Sequence, residues 1–266
     1  MVKLAASALS GSPTQPKPAL VLLHGMTSSG RAWQELVPAL SQVHEVHTPT
    51  ALGHRGGTPV SRPTTLTDVV DAAERQLDEA GLDRPHLTGH SLGGYVAIEL
   101  ARRGRAATVL ALSPAGFWSP GDGTATLVMH GLRRSTRIAR MVRPLIKAAV
   151  GTARGRQAWM GSALRRPDSM TPAQARNVID DQVRCTLAEW LFIDDDHQLA
   201  PLDPLPCPIT VAWAEHDEVL PLESYAEAVH ARLPGATFMV LPGVGHAAMV
   251  DDRALVEQTI LRTSRS

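Results

Sequence analysis

Short apolar runs alternate with stretches whose apolar residues recur every three or four positions. Residues 18–23 (PALVLL) are continuously apolar and close on HGM, the pattern of a strand buried on both faces of a parallel sheet. A helix is expected over 30–41. HEVHTPT is a second strand, and the glycine-dense ALGHRGGTP after it is a loop. Residues 67–80 place Val69, Val70, Ala73, Leu77 and Ala80 on one helical face. PHLTGHS is a strand entering a turn, LGGYVAIELARR a helix and ATVLALSP another strand. After residue 203 the rhythm resumes with the strand CPITVAWA, a helix over 223–233, the strand ATFMVLP and a helix over 251–262. Such alternation predicts an α/β protein with a mostly parallel central sheet and helices on both faces.

The stretch 118–203 breaks the rhythm. Its segments GLRRSTRIARMVRPLIKAAV and TPAQARNVIDDQVRCTLAEWLF have helical spacing and it holds no convincing strand. A core of 1–117 and 204–266 carrying a helical cap over 118–203 is therefore expected.

Between a strand and a helix lies Gly89-His90-Ser91-Leu92-Gly93, the GxSxG spacing. A serine on so tight a turn is held in strained backbone with its hydroxyl exposed, and the flanking glycines avoid collisions with neighbouring backbone. It also stands at a helix N-terminus, where the Leu92 N–H and the helix dipole favour negative charge on a reacting oxygen. A second donor for that oxygen is the Met26 N–H in HGM, whereas the His24 side chain is expected only to bond nearby backbone.

A serine hydroxyl needs a base, and histidine suits neutral pH. Of eleven histidines, His246 in LPGVGHAAMVDD stands out, in a glycine-containing loop after the last strand, where parallel sheets build their sites. His44, His47, His130 and His230 fall in strand-like or helix-like positions, and His90 and His216 flank other candidates. Asp217, in WAEHDEVLP, is the carboxylate expected to hold the histidine in one tautomer, with Glu215 and Glu218 as rivals. The rate should fall on the acid side as the histidine protonates, near ~6.5 for an ordinary imidazole.

In these four segments the chain resembles the α/β-hydrolases of the capped, single-domain type, which include esterases, lipases, epoxide hydrolases, dehalogenases and C–C bond hydrolases. HGMTSSGRAW resembles the family's oxyanion segment, GHSLGG its nucleophile elbow, and WAEHDEVLP and GVGHAAMVDD its acid and base loops. The resemblance implies a nucleophile at Ser91, a base at His246, an acid at Asp217 and oxyanion donors at Met26 and Leu92. Relatives that open epoxides or displace halide carry aspartate where Ser91 stands, and the C–C hydrolases commonly have a large aromatic after the histidine, where this chain has Ala247, Ala248 and Met249. Thr50 replaces an aspartate common before the glycine-rich loop. These features imply a carboxylesterase acting on small to medium, largely apolar esters. A C–C hydrolase, lactonase, thioesterase or acyltransferase with the same residues is the alternative, as is a ligand-binding protein with a slow triad.

Composition narrows the partners. Lys plus Arg and Asp plus Glu each total 26, so no global field draws nucleic acid. No run approaches the ~20 apolar residues of a membrane span, and the opening MVKLAASALSG is too short for a secretory core, so a cytoplasmic protein is expected. Two cysteines, Cys185 and Cys207, are too few for a disulfide framework. No metal or organic cofactor is expected. The segment 133–166 carries ten Arg or Lys and no acid. Either it attracts anionic substrate or lipid, or it is a solvated helix face balanced by Asp194, Asp195 and Asp196, the simpler reading. The acyl pocket is expected to draw on Phe117, Trp190 and Leu220. The oligomeric state is left open.

Overall fold

The computed structural model describes residues 16–121, 123–193 and 197–265. The expectations for the opening segment and for Asp194 to Asp196 lie outside these residues. The strands are β1 (Ala19–Leu23), β2 (Glu45–His47), β3 (His86–His90), β4 (Thr108–Leu112), β5 (Ile209–Ala214) and β6 (Thr237–Leu241). They form one sheet in the order β2-β1-β3-β4-β5-β6, every neighbouring pair parallel. The helices are α1 (Val37–Leu40), α2 (Leu66–Glu79), α3 (Leu92–Arg102), α4 (Thr124–Met141), α5 (Arg143–Ala149), α6 (Ala153–Met160), α7 (Pro172–Val183), α8 (Leu187–Trp190), α9 (Leu222–Arg232), α10 (Ala248–Asp251) and α11 (Arg253–Thr263).

Alternation along β1 sends its side chains to two cores. Val21 and Leu23 join the cluster containing Val69 and Leu77 of α2 and Val96 and Leu100 of α3. Leu20 and Leu22 face the cluster of Trp33, Leu40, Val256 and Ile260. All five residues of β4 are buried, as befits a central strand, whereas β6 at the edge leaves Val240 exposed. The helices between β4 and β5 own a third cluster around Ile146, Met160, Ala175 and Ile179, which packs against Ala247 and Val250.

Several expected helices are broken, for identifiable reasons. The helix over 30–41 is instead a 3₁₀ turn (Gly30–Trp33) and the short α1, because Pro38 lacks an N–H and its ring opposes a helical carbonyl four residues back. The long basic segment divides between α4 and α5 just before Pro144. Beyond α7 the chain leaves the helix so that the Thr186 N–H can bond the Gly53 carbonyl at 2.7 Å, and only then forms α8. The last helix begins at Arg253, capped by Asp252, whose side chain accepts the Leu255 N–H. α2 starts on a reciprocal capping box between Thr65 and Asp68. No helix of the described residues is long and apolar enough to cross a membrane.

The basic segment is a solvated face only in part: Arg134, Arg137, Arg154, Arg165 and Arg166 are exposed, whereas the other five cations turn to partners within the fold. Arg133 donates to the carbonyls of Ala188 and Leu191, Arg140 to those of Val183 and Cys185, and the buried Arg156 to those of Pro167 and Val150. Arg143 and Lys147 converge on Asp180, and Arg140 pairs with Glu189. Much of the positive charge is therefore spent tying α4, α5 and α6 to the chain that follows them.

Candidate active site

Ser91 sits where β3 hands over to α3, with φ of 54°, in the left-handed region that non-glycine residues enter only under constraint. Its N–H bonds the Leu112 carbonyl of β4 at 2.9 Å, and its carbonyl accepts from Gly94, Tyr95 and Ala115. Glycine is required on both sides: a Cβ at Gly89 would strike the Gly93 carbonyl oxygen, and one at Gly93 would strike that of Leu23.

The loop after β6 brings His246 to the same place. His246 Nδ1 stands 2.7 Å from Asp217 Oδ2, with both side chains buried. The other oxygen, Asp217 Oδ1, accepts the N–H groups of Val219 (3.0 Å) and Leu220 (2.7 Å). Burial alone would push the Asp217 carboxyl up. The charge and hydrogen bond of His246, with bonds from Leu220 and Ser113, outweigh it and hold the group below the usual carboxylate range. Glu215 turns outward to accept the Gly243 N–H, and Glu218 stays exposed 3.8 Å from Arg165. Of the three acids, only Asp217 reaches the histidine.

Ser91 and His246 open into one cavity of about 490 Å³, which Met26, Leu92 and Leu220 also line. Two of the side chains expected to form the pocket lie elsewhere. Phe117 is buried against Trp213, ring centroids 6.2 Å apart, and Trp190 stands 39% exposed at the end of α8. Both answer to the core and the surface of the fold, and Trp118, Met129 and Trp159 line the cavity instead. Part of its lining is polar, with Glu35 bridging Gln174 (2.9 Å) and Arg253 (3.3 Å).

Other supports carry no sequence signature of their own. Buried Asp251 accepts the Gly245 N–H beside His246 at 2.8 Å, and the N–H groups of Arg165 and Arg166 at 2.9 and 2.7 Å, joining the His246 loop to the inserted helices. Buried Asp181 accepts the Ser29 hydroxyl at 2.6 Å and Arg55 at 3.0 Å. His90 lies with its ring 4.6 Å from that of His246 and its Nε2 2.9 Å from the His246 carbonyl oxygen. Burial, then the neighbouring His246, lowers its pKa to about 3. A hydroxyl at a helix N-terminus, opening with an imidazole held by a buried carboxylate into a largely apolar cavity, is equipped to add to an electrophilic carbon.

The comparisons with known proteins agree with this architecture. Residues 20–259 match the alpha/beta hydrolase family, and the chain belongs to that family. A pimeloyl-[acyl-carrier protein] methyl ester esterase of Aromatoleum aromaticum is 30% identical over 265 residues, spanning 92% of this chain and 99% of the relative. The epoxide hydrolase EphH of Mycobacterium tuberculosis is 30% identical over 198 residues, 72% of this chain and 91% of that one. Among solved structures, a thermophilic esterase of Thermogutta terrifontis superposes with a TM-score of 0.70 at 22% identity, covering 95% of this chain and 91% of its own, a likeness of fold.

Proposed function

We propose that this hydrolase cleaves carboxylic esters through an acyl-enzyme on Ser91. The observation that carries the reading is the 2.7 Å bond from His246 Nδ1 to Asp217 in the wall of the cavity that Ser91 enters at a positive φ. Because Nδ1 donates to Asp217, the neutral imidazole keeps its lone pair on Nε2, the nitrogen free to take a proton. Ser91 Oγ attacks the ester carbonyl while His246 Nε2 takes the hydroxyl proton. The tetrahedral oxyanion is held by the N–H groups of Met26 and Leu92. It collapses as the imidazolium returns its proton to the departing alcohol. Water then repeats the sequence on the acyl-enzyme and releases the acid. These steps draw on side chains and backbone alone, with no metal or organic cofactor. The helices within 118–203 act as a cap, and Trp118, Met129 and Leu220 favour a small to medium, largely apolar substrate. Cytoplasmic location accords with this reading.

The esterase relative supports ester chemistry. Epoxide opening, the activity named for EphH, is disfavoured by Ser91: opening the ring through an ester intermediate takes a carboxylate nucleophile, and this position offers a hydroxyl.

Release of p-nitrophenol from esters of increasing acyl length, by the protein and by Ser91→Ala, is the test. Multiple turnovers that vanish in the variant are expected. A folded protein that releases none, and whose Ser91 ignores a fluorophosphonate, would overturn the proposal in favour of a ligand-binding role.

A further inference from the structure

Two buried histidines hold the turn 25–27, and the reaction above leaves them unused. His24 Nε2 accepts the Ala51 N–H at 3.0 Å. That nitrogen therefore carries no proton, and the neutral ring must carry its proton on Nδ1. Nδ1 stands 2.8 Å from the Gly25 carbonyl oxygen, to which it donates. His54 repeats the arrangement, its Nε2 accepting the Thr27 N–H at 3.1 Å and its Nδ1 donating to the Leu52 carbonyl at 3.0 Å. The two rings meet edge to face, centroids 4.8 Å apart. Burial lowers His24 to about 3, helped by its neighbour, and His54 to about 4, so both stay neutral at neutral pH.

The consequence lies in the peptide planes. The Gly25 carbonyl and the Met26 N–H belong to one planar trans peptide and point in opposite directions. Holding the carbonyl on His24, with the Ser28 N–H also on it at 3.3 Å, fixes where the Met26 N–H points. The next plane is fixed through the Thr27 N–H on His54. Thr27 has φ of 62°, a conformation a threonine keeps only where its surroundings impose it.

We propose that His24 and His54 are positioning residues of the oxyanion hole, each locked in its Nδ1–H tautomer so that two successive peptide planes present the Met26 N–H to the reacting oxygen. The proposal rests on the serine hydrolase reading. A donor turned from its place costs about as much as one removed, because its value lies in being oriented before the charge appears.

His24→Leu removes the donor at similar bulk, and His24→Asn returns an amide N–H near the position of Nδ1. With p-nitrophenyl butyrate, kcat is expected to fall about 30-fold or more in His24→Leu while KM stays within about threefold, and His24→Asn should recover about tenfold. In the unaltered protein, ¹⁵N spectra of labelled histidine should show Nδ1 protonated and Nε2 bare on both rings at neutral pH. A folded His24→Leu with undiminished kcat would overturn the proposal, as would an Nε2-protonated ring at either position. If the leucine variant does not fold, the asparagine variant and the spectrum decide: a bare Nδ1, or an asparagine variant no slower than the parent in the presence of the predicted tautomers, overturns it. A parent protein that hydrolyses no ester and whose Ser91 ignores a fluorophosphonate defeats the serine hydrolase reading itself, whereas an active parent with indifferent His24 variants defeats only this inference.

Discussion

His90 Nε2 lies 2.9 Å from the carbonyl oxygen of His246, so the residue just before Ser91 holds the backbone of His246, which lines the same cavity. A carbonyl can only accept, so Nε2 carries the proton, and burial keeps the ring neutral. The turn bearing the hydroxyl and the loop bearing the imidazole are thus joined through one side chain. His90→Leu leaves that carbonyl without its donor, at an expected cost of about 1–3 kcal/mol in stability and about tenfold in kcat. His90→Gln, which can place a donor near the same point, should recover much of both. Urea unfolding and ester kinetics on the two variants check it, and equal losses in both would rule out the hydrogen bond as the cause.

Asp217→Asn keeps the shape of the group but presents either a donor or a weaker acceptor to His246 Nδ1. The imidazole can then turn its proton to Nε2, where it opposes attack by Ser91. A loss of about 10³- to 10⁴-fold in kcat is expected, with little change in KM. Because its surroundings hold Asp217 below the usual carboxylate range, the parent's pH–rate profile should show no carboxylate ionisation within that range, and one found there would contradict this.

Gly93→Ala would drive a Cβ into the carbonyl oxygen of Leu23, which β1 holds rigid. Destabilisation of about 3 kcal/mol or more is expected. Gly81→Ala makes the informative contrast. Gly93 has no positive φ, whereas the φ of 69° at Gly81 is unsuited to alanine and nothing lies within 4 Å of the added atom, so there only backbone strain of about 1–2 kcal/mol is added. Chemical denaturation of the pair separates steric clash from conformational strain.

Acid should unfold the protein early. His24, His54 and His90 have pKa values lowered to about 3, about 4 and about 3, against ~6.5 in an unfolded chain. The unfolded state therefore binds protons that the folded state refuses. The stability this confers is complete above ~6.5 and is lost as pH falls toward the folded values. Each histidine contributes a slope of ~1.4 kcal/mol per pH unit, about 4 for the three, between roughly pH 6 and pH 4. Melting temperatures across that interval measure it, and a flat profile would show that the three rings are charged in the folded protein.

The sheet and the placing of the candidate site residues were legible because each rests on short-range signals. The strands are unbroken apolar runs, and Ser91, Asp217 and His246 lie in loops at strand ends with glycine or strand boundaries to mark them. What escaped depends on partners far away in the chain. Asp181 meets Ser29 across 152 positions and Asp251 meets Arg165 across 86, and no local pattern distinguishes these acids from surface ones. Periodicity could not tell a core aromatic from a cavity aromatic, so Phe117 and Trp190 were expected where Trp118 and Trp159 stand. Arg133, Arg140 and Arg156 could not be told from their exposed neighbours in 133–166 because their acceptors are mainly backbone carbonyls, which leave no trace in residue type.

The shared carboxylate of Asp251 also governs how a molecule can reach the cavity. Lifting the inserted helices away from the sheet would strip Arg165 and Arg166 from Asp251 and loosen the Gly245 amide beside His246, so an entry route that hinged them open would disarm the base. The exposed bridge from Glu35 to Gln174 and Arg253 is far cheaper to part. Entry by parting these side chains should therefore be favoured over any that hinges the inserted helices open.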